Sequence, residues 1–69
     1  MMEFKIGQTV KIVKTLKVDI DNTILELYDD MFGNQYIVNE IDPFQDYITV
    51  HDFKYNYYVP KSIVEIVEQ

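Results

Sequence analysis

Apolar and polar residues alternate with a period of two in a series of short stretches along this chain. After Gly7-Gln8, the segment Thr9 to Leu16 puts Val10 and Ile12 on one face and Thr9, Lys11 and Val13 on the other, a half-buried first strand. Gln35 to Ile41 carries Tyr36 and Val38 on one face, and Ile41 regains that phase only if a bulge falls near Asn39-Glu40. Tyr47 to Val50 sets Ile48 and Val50 opposite Tyr47 and Thr49, and Tyr55 to Val59 follows a His51-Asp52-Phe53-Lys54 loop. Between these strands, Asp42-Pro43-Phe44-Gln45-Asp46 has the composition of a turn. The chain closes with a turn at Val59-Pro60-Lys61-Ser62 and a β-branched strand, Ile63 to Val67. Pro60 has a fixed φ and no backbone donor, which excludes it from a central ladder.

One stretch departs from this period. Ile24, Leu27, Tyr28 and Met31 fall at helical spacing, after the capping residues Asp21, Asn22 and Thr23 and before Gly33-Asn34. The pattern predicts a short helix over about Thr23 to Phe32, with Leu27 in the core. Asp29 and Asp30 would lie near its C-terminal end, where the helix dipole prefers cations.

With 69 residues and no cysteine, the chain makes one domain over 1–69, without disulfides or thiolate metal sites. Its apolar fraction of 48%, with six Tyr and four Phe, excludes disorder. No apolar run approaches the ~18 residues of a spanning helix, and no signal peptide is visible. The expected location is the cytoplasm of a bacterial cell, and the Arg-free, Ile-, Lys-, Asn- and Tyr-rich composition fits AT-rich coding sequence, phage-encoded sequence included. The net charge is −6 and unevenly spread. Met1 to Lys17 holds four Lys and one Glu, whereas Val18 to Phe53 holds nine acids and no base. Such a balance disfavours direct binding of nucleic acid.

The order of strand, long helix-bearing loop, three strands, turn and last strand resembles the SH3-like barrels. The Val59-Pro60-Lys61-Ser62 turn and the Gly33-x-x-Tyr36-x-Val38-x-x-Ile41 stretch resemble those of small bacterial and phage members. The resemblance implies a mainly β fold, a five-stranded small barrel with one short helix inserted after the first strand. It does not extend to polyproline recognition: Leu27-Tyr28-Asp29-Asp30 is similar to an ALYDY motif but lies too far along the chain. There is also no tryptophan, and Ile63 stands where the peptide-binding domains carry a tyrosine.

Few residues offer chemistry. Asp19-x-Asp21-x-Thr23 fails as a calcium loop, because the glycine and glutamate positions are Ile24 and Asp30. His51 beside Asp52 has Ser62 as the only serine available, so a nucleophile–base arrangement has few possible members. No enzyme activity, cofactor or metal is expected. The tyrosines Tyr47, Tyr55, Tyr57 and Tyr58 carry more, with Phe44 and Phe53. Tyr57 and Tyr58 must face opposite sides of a strand, so some rings are core and others are free for a partner. The acids Asp19, Asp21, Glu26, Asp29 and Asp30 form either a solvated loop or a working negative surface. The expected function is a protein-binding module or small inhibitor whose partner is another protein, binding through these acids and tyrosines. The alternative is an acidic nucleic-acid mimic that blocks a basic DNA- or RNA-handling protein.

Overall fold

The computed structural model describes residues 3–67, so the four terminal positions of the expected domain lie outside it. Among the described residues there are seven strands: β1 (Thr9–Ile12), β2 (Leu16–Ile20), β3 (Thr23–Leu27), β4 (Gln35–Ile41), β5 (Tyr47–His51), β6 (Asn56–Pro60) and β7 (Val64–Ile66). Short 3₁₀ turns at Asp29–Met31 and Lys61–Ile63 precede β4 and β7. Neither is long and apolar enough to cross a membrane.

β4, β5 and β6 are successive antiparallel neighbours, and β1 pairs with both β4 and β7, giving the order β6-β5-β4-β1-β7. The alternating strands each place a β-branched or aromatic set inward. Val10, Ile12, Tyr36, Val38, Ile48, Val50, Val59, Ile63 and Val64 are buried, with Met31 from the first 3₁₀ turn. No charged or polar residue is buried among the described residues, so burial there carries no unpaired polar cost. The bulge needed to return Ile41 to phase is present: Val38 faces Val50, but Glu40 faces Thr49. Pro60 ends the edge strand β6, where a missing donor faces no neighbour.

Two expectations are overturned. The first is the helix. Asp21 and Asn22 take left-handed φ values of 51° and 65°, the geometry of a two-residue type I′ connection, so they turn the chain back and do not cap a helix. Ile20 then faces Thr23 and Leu16 faces Leu27, which makes Thr23–Leu27 a strand. β-branched Thr23 and Ile24 favour that outcome. The helical stripe dissolves: Met31 is buried, while Ile24 is 69% and Leu27 39% exposed. What remains helical is the single 3₁₀ turn after β3, not an insertion directly after the first strand.

The second correction is the barrel. β2 and β3 pair only with each other, and β6 and β7 are free edges of the five-stranded sheet. The molecule is therefore two open sheets, and the closed SH3-like barrel is not formed. The reason is local: β2 and β3 satisfy each other's ladder and pair with neither free edge, so no strand bridges β6 to β7. The molecule is accordingly elongated, at 40 × 26 × 20 Å.

These placements separate two substitutions that sequence spacing treats alike. Ile48→Ala, at a buried position, should lower the unfolding free energy by about 2–5 kcal/mol. Leu27→Ala, on the exposed hairpin, should cost no more than about 1 kcal/mol. Urea unfolding followed by circular dichroism measures both, and equal losses would contradict the hairpin's exposure.

Candidate functional site

The six tyrosines divide into two groups, and strand alternation is what divides them. Tyr57 turns toward the core and meets Tyr36 edge-on at 5.3 Å between ring centroids, with Tyr55 edge-on at 6.4 Å on its other side. Tyr58, the next residue, turns outward and is 58% exposed. Its ring stacks on Tyr47 of β5, with centroids 4.9 Å apart and planes 10° from parallel. Thr49 faces Tyr58 and Tyr47 faces Pro60, so the stack is a diagonal contact across the β5–β6 ladder.

Tyr28 joins this outer pair. It sits between β3 and the 3₁₀ turn at φ 66°, a left-handed conformation uncommon for an aromatic residue. Its hydroxyl donates to the Tyr58 carbonyl at 3.2 Å. Burial, and then the neighbouring Tyr47 phenol, push its ionisation above the ordinary tyrosine range. Sequence spacing assigned Tyr28 to a helix stripe and so missed it; no local signal marks a tyrosine for a positive φ.

Beside the stack lies a groove of about 230 Å³ lined by Glu40, Asp42, Gln45, Tyr47, Thr49 and Tyr58, among others. Glu40 is there because the β4 bulge moves it opposite Thr49. Two carboxylates next to two aromatic faces suit a cationic or amphipathic group. Glu40 and Asp42 lie inside the acidic stretch of the sequence, but only the bulge and the β4–β5 turn bring them to the tyrosines.

The inner group has a structural task. The Asp52 carboxylate accepts from the backbone N–H groups of Tyr55 at 2.7 Å and Lys54 at 2.8 Å, and from the Tyr57 hydroxyl at 3.2 Å. Those backbone donors, Tyr55 first, hold the Asp52 carboxyl below the usual aspartate range. Burial and then the Asp52 charge raise the Tyr57 phenol. Asp52 thus pins the β5–β6 turn. His51 Nδ1 lies 3.1 Å from the Asp52 carbonyl oxygen, a local contact rather than a link to a nucleophile. Tyr55 remains 56% exposed, with the Lys54 ammonium 5.4 Å from its ring centre.

None of the five hairpin and turn acids lines the tyrosine groove. Asp19 and Glu26 lie on one face of the hairpin, Asp21 at its tip, and Asp29 and Asp30 in the 3₁₀ turn beyond its base. All are exposed. The stretch that contains no base in sequence meets one in space, because the register sets Lys17 against Glu26 at 4.0 Å. Phe44 and Phe53 are exposed loop residues, at 93% and 99%, and neither lines the groove. Among the described residues no group of His, Asp or Glu is arranged to hold a metal ion. Comparison with protein-family models, curated proteins and solved structures finds no match for this chain.

Protonating Asp52 tests the inner arrangement. A carboxyl lowered in the folded state stabilises above its unfolded value, and that contribution is lost as pH falls through the folded value. Acid unfolding below about pH 4 should therefore include a component that Asp52→Asn removes. The variant should be less stable than the parent at neutral pH and should approach it at low pH, as thermal melts across pH would record.

Proposed function

We propose that this chain is a non-enzymatic protein-binding module whose contact surface is the outer tyrosine face of β5 and β6. The observation that carries the reading is the stack of half-buried Tyr47 on exposed Tyr58, beside the Glu40 and Asp42 carboxylates. Tyrosine offers a large contact area at low entropic cost, and two stacked rings enter a complex already ordered. The carboxylates add orientation for a lysine or arginine of the partner, over rings that also attract cations. The exposed acids Asp19, Asp21, Glu26, Asp29 and Asp30 then act at longer range, drawing a basic protein toward the surface.

The partner expected on this reading is another protein with a basic surface. Nucleic-acid mimicry needs more: an acidic array that substitutes for phosphates and is displaced by them. The Lys17–Glu26 contact interrupts such an array on the hairpin, so mimicry stands as an outcome to be tested.

With a partner isolated from the native cell, Tyr58→Ala should weaken binding by about tenfold or more, mainly through faster dissociation. Paired reversal to lysine at Asp29 and Asp30 should slow association and flatten its salt dependence. Surface plasmon resonance separates the two rates. Unchanged dissociation in Tyr58→Ala would remove the tyrosine face from the interface, and displacement of the chain by duplex DNA would favour the mimic.

A further inference from the structure

Residues 14–28 leave the five-stranded sheet, turn back and return to it, and both ends of this excursion are anchored. Val13 N–H donates to the Ile63 carbonyl at 2.9 Å, and Gly33 N–H donates to the Ile12 carbonyl at 2.8 Å. Buried Met31 fixes the 3₁₀ turn that precedes Gly33. Between the anchors, β2 and β3 hydrogen-bond along their length only to each other. The ribbon makes no extended contact with the five-stranded sheet. Half-buried Leu16 reaches a cleft with Tyr47, Pro60 and Lys61 at its base. An isolated two-stranded ribbon is marginally stable in water, so its ladder depends on whatever fastens it to the rest.

One polar contact supplies that fastening. Among the described residues, the hydroxyl of Tyr28 on the Tyr58 carbonyl, at 3.2 Å, is the single hydrogen bond from residues 14–28 to the five-stranded sheet. Tyr28 stands at the joint between β3 and the 3₁₀ turn, with φ 66° and ψ 17°. A residue with a Cβ meets steric resistance in that left-handed region, and the conformation persists only while its surroundings hold it. Two contacts hold it: the ring packs against the core, and the hydroxyl reaches β6. Because β6 is a free edge, no further strand competes for the Tyr58 carbonyl.

We propose that the β2–β3 hairpin is a movable arm latched to the β6 edge by the Tyr28 hydroxyl. When the latch opens, Tyr28 leaves its left-handed conformation and the arm loosens between its two anchors. The ribbon's own ladder then melts locally, and the Tyr58 carbonyl is freed on the edge of the sheet. The closed latch thus guards the one exposed edge acceptor that it occupies. This device goes beyond the tyrosine contact and does not require it, since the latch uses the backbone of Tyr58 and not its ring.

Residue-resolved hydrogen exchange of the chain tests the latch. Tyr28→Phe removes the hydroxyl and keeps the ring. Amides of residues 16–27 should exchange about threefold to tenfold faster in this variant, the range set by one net hydrogen bond. The carbonyl carbon resonance of Tyr58 should move in the same variant, because its donor is lost. Ile48→Val loosens the core without touching the arm. It should speed exchange in β4 and β5 and leave residues 16–27 at their parental rates, because Ile48 stays packed when only the arm opens. Tyr58→Ala keeps the carbonyl, so it too should leave the hairpin amides unchanged. Parental hairpin rates or an unmoved Tyr58 carbonyl in Tyr28→Phe would overturn the proposal. So would hairpin amides that follow the core in Ile48→Val, which would show that the arm opens only with the whole molecule. Acceleration of the hairpin in Tyr58→Ala would assign the fastening to the ring and overturn it as well. Failure of the tyrosine contact reads differently: full partner affinity in Tyr58→Ala removes that contact and leaves every exchange result standing.

Discussion

β1 supplies only four residues, yet it is hydrogen-bonded along both edges, to β4 on one side and β7 on the other. Val10 and Ile12 are fully buried within it. Its end is tied from several directions: Ile12 N–H donates to the Asn34 carbonyl, Gly33 N–H donates to the Ile12 carbonyl, and Val13 N–H donates to the Ile63 carbonyl. Those bonds hold both 3₁₀ turns against the sheet. In a domain of this size the margin between burial and chain entropy is small. The stability of the whole therefore rests on this one central strand and the side chains it buries.

The same limit explains the surface. One five-stranded sheet can bury one face, and the buried set is nearly used up by that face. The apolar residues left over remain on the hairpin, in the loops and on the outer side of β5 and β6. Some are scattered and need no explanation, such as Phe53 at a turn. Others are ordered by structure, as Tyr47 and Tyr58 are by stacking. That order sets the two rings apart from residues merely left outside.

The alternation of β1, β4, β5 and β6 was legible from the sequence, including the bulge at Asn39-Glu40, because side-chain phase is a local property. β2 was not, although Leu16 to Ile20 alternates as plainly, because the first strand was extended through Leu16. The opposite orientation of Tyr57 and Tyr58 was legible for the same reason. The hairpin was not, because Asp21-Asn22 serves equally as a helix cap and as a left-handed turn, and Ile24, Leu27 and Met31 fit helical spacing by coincidence. Closure was not legible either: whether β6 finds a second partner depends on long-range pairing, which no spacing encodes. In the tyrosine groove, Tyr47 and Tyr58 were nameable from sequence. Glu40 and Asp42 were not, since a bulge and a turn bring them there; nor was Tyr28, which a left-handed φ accompanies where its hydroxyl meets the Tyr58 carbonyl.

Two open sheets leave four strands with an unpaired side: β6, β7, β2 and β3. Each offers edge N–H and C=O groups to any neighbouring chain, although on β6 the Tyr58 carbonyl already accepts from the Tyr28 hydroxyl. On the hairpin, Lys17, Asp19 and Glu26 interrupt the rows with charge, and on β6 Pro60 withholds a donor. Mutual repulsion between molecules of net charge −6 adds a second barrier to edge-to-edge growth. Both barriers are carried largely by carboxylates, so both fade together as acidity approaches the isoelectric point near 4.4. Colloidal solubility and edge protection in this protein are consequently one property with one set of residues, and a change that neutralises the acids for any purpose also uncovers the strands.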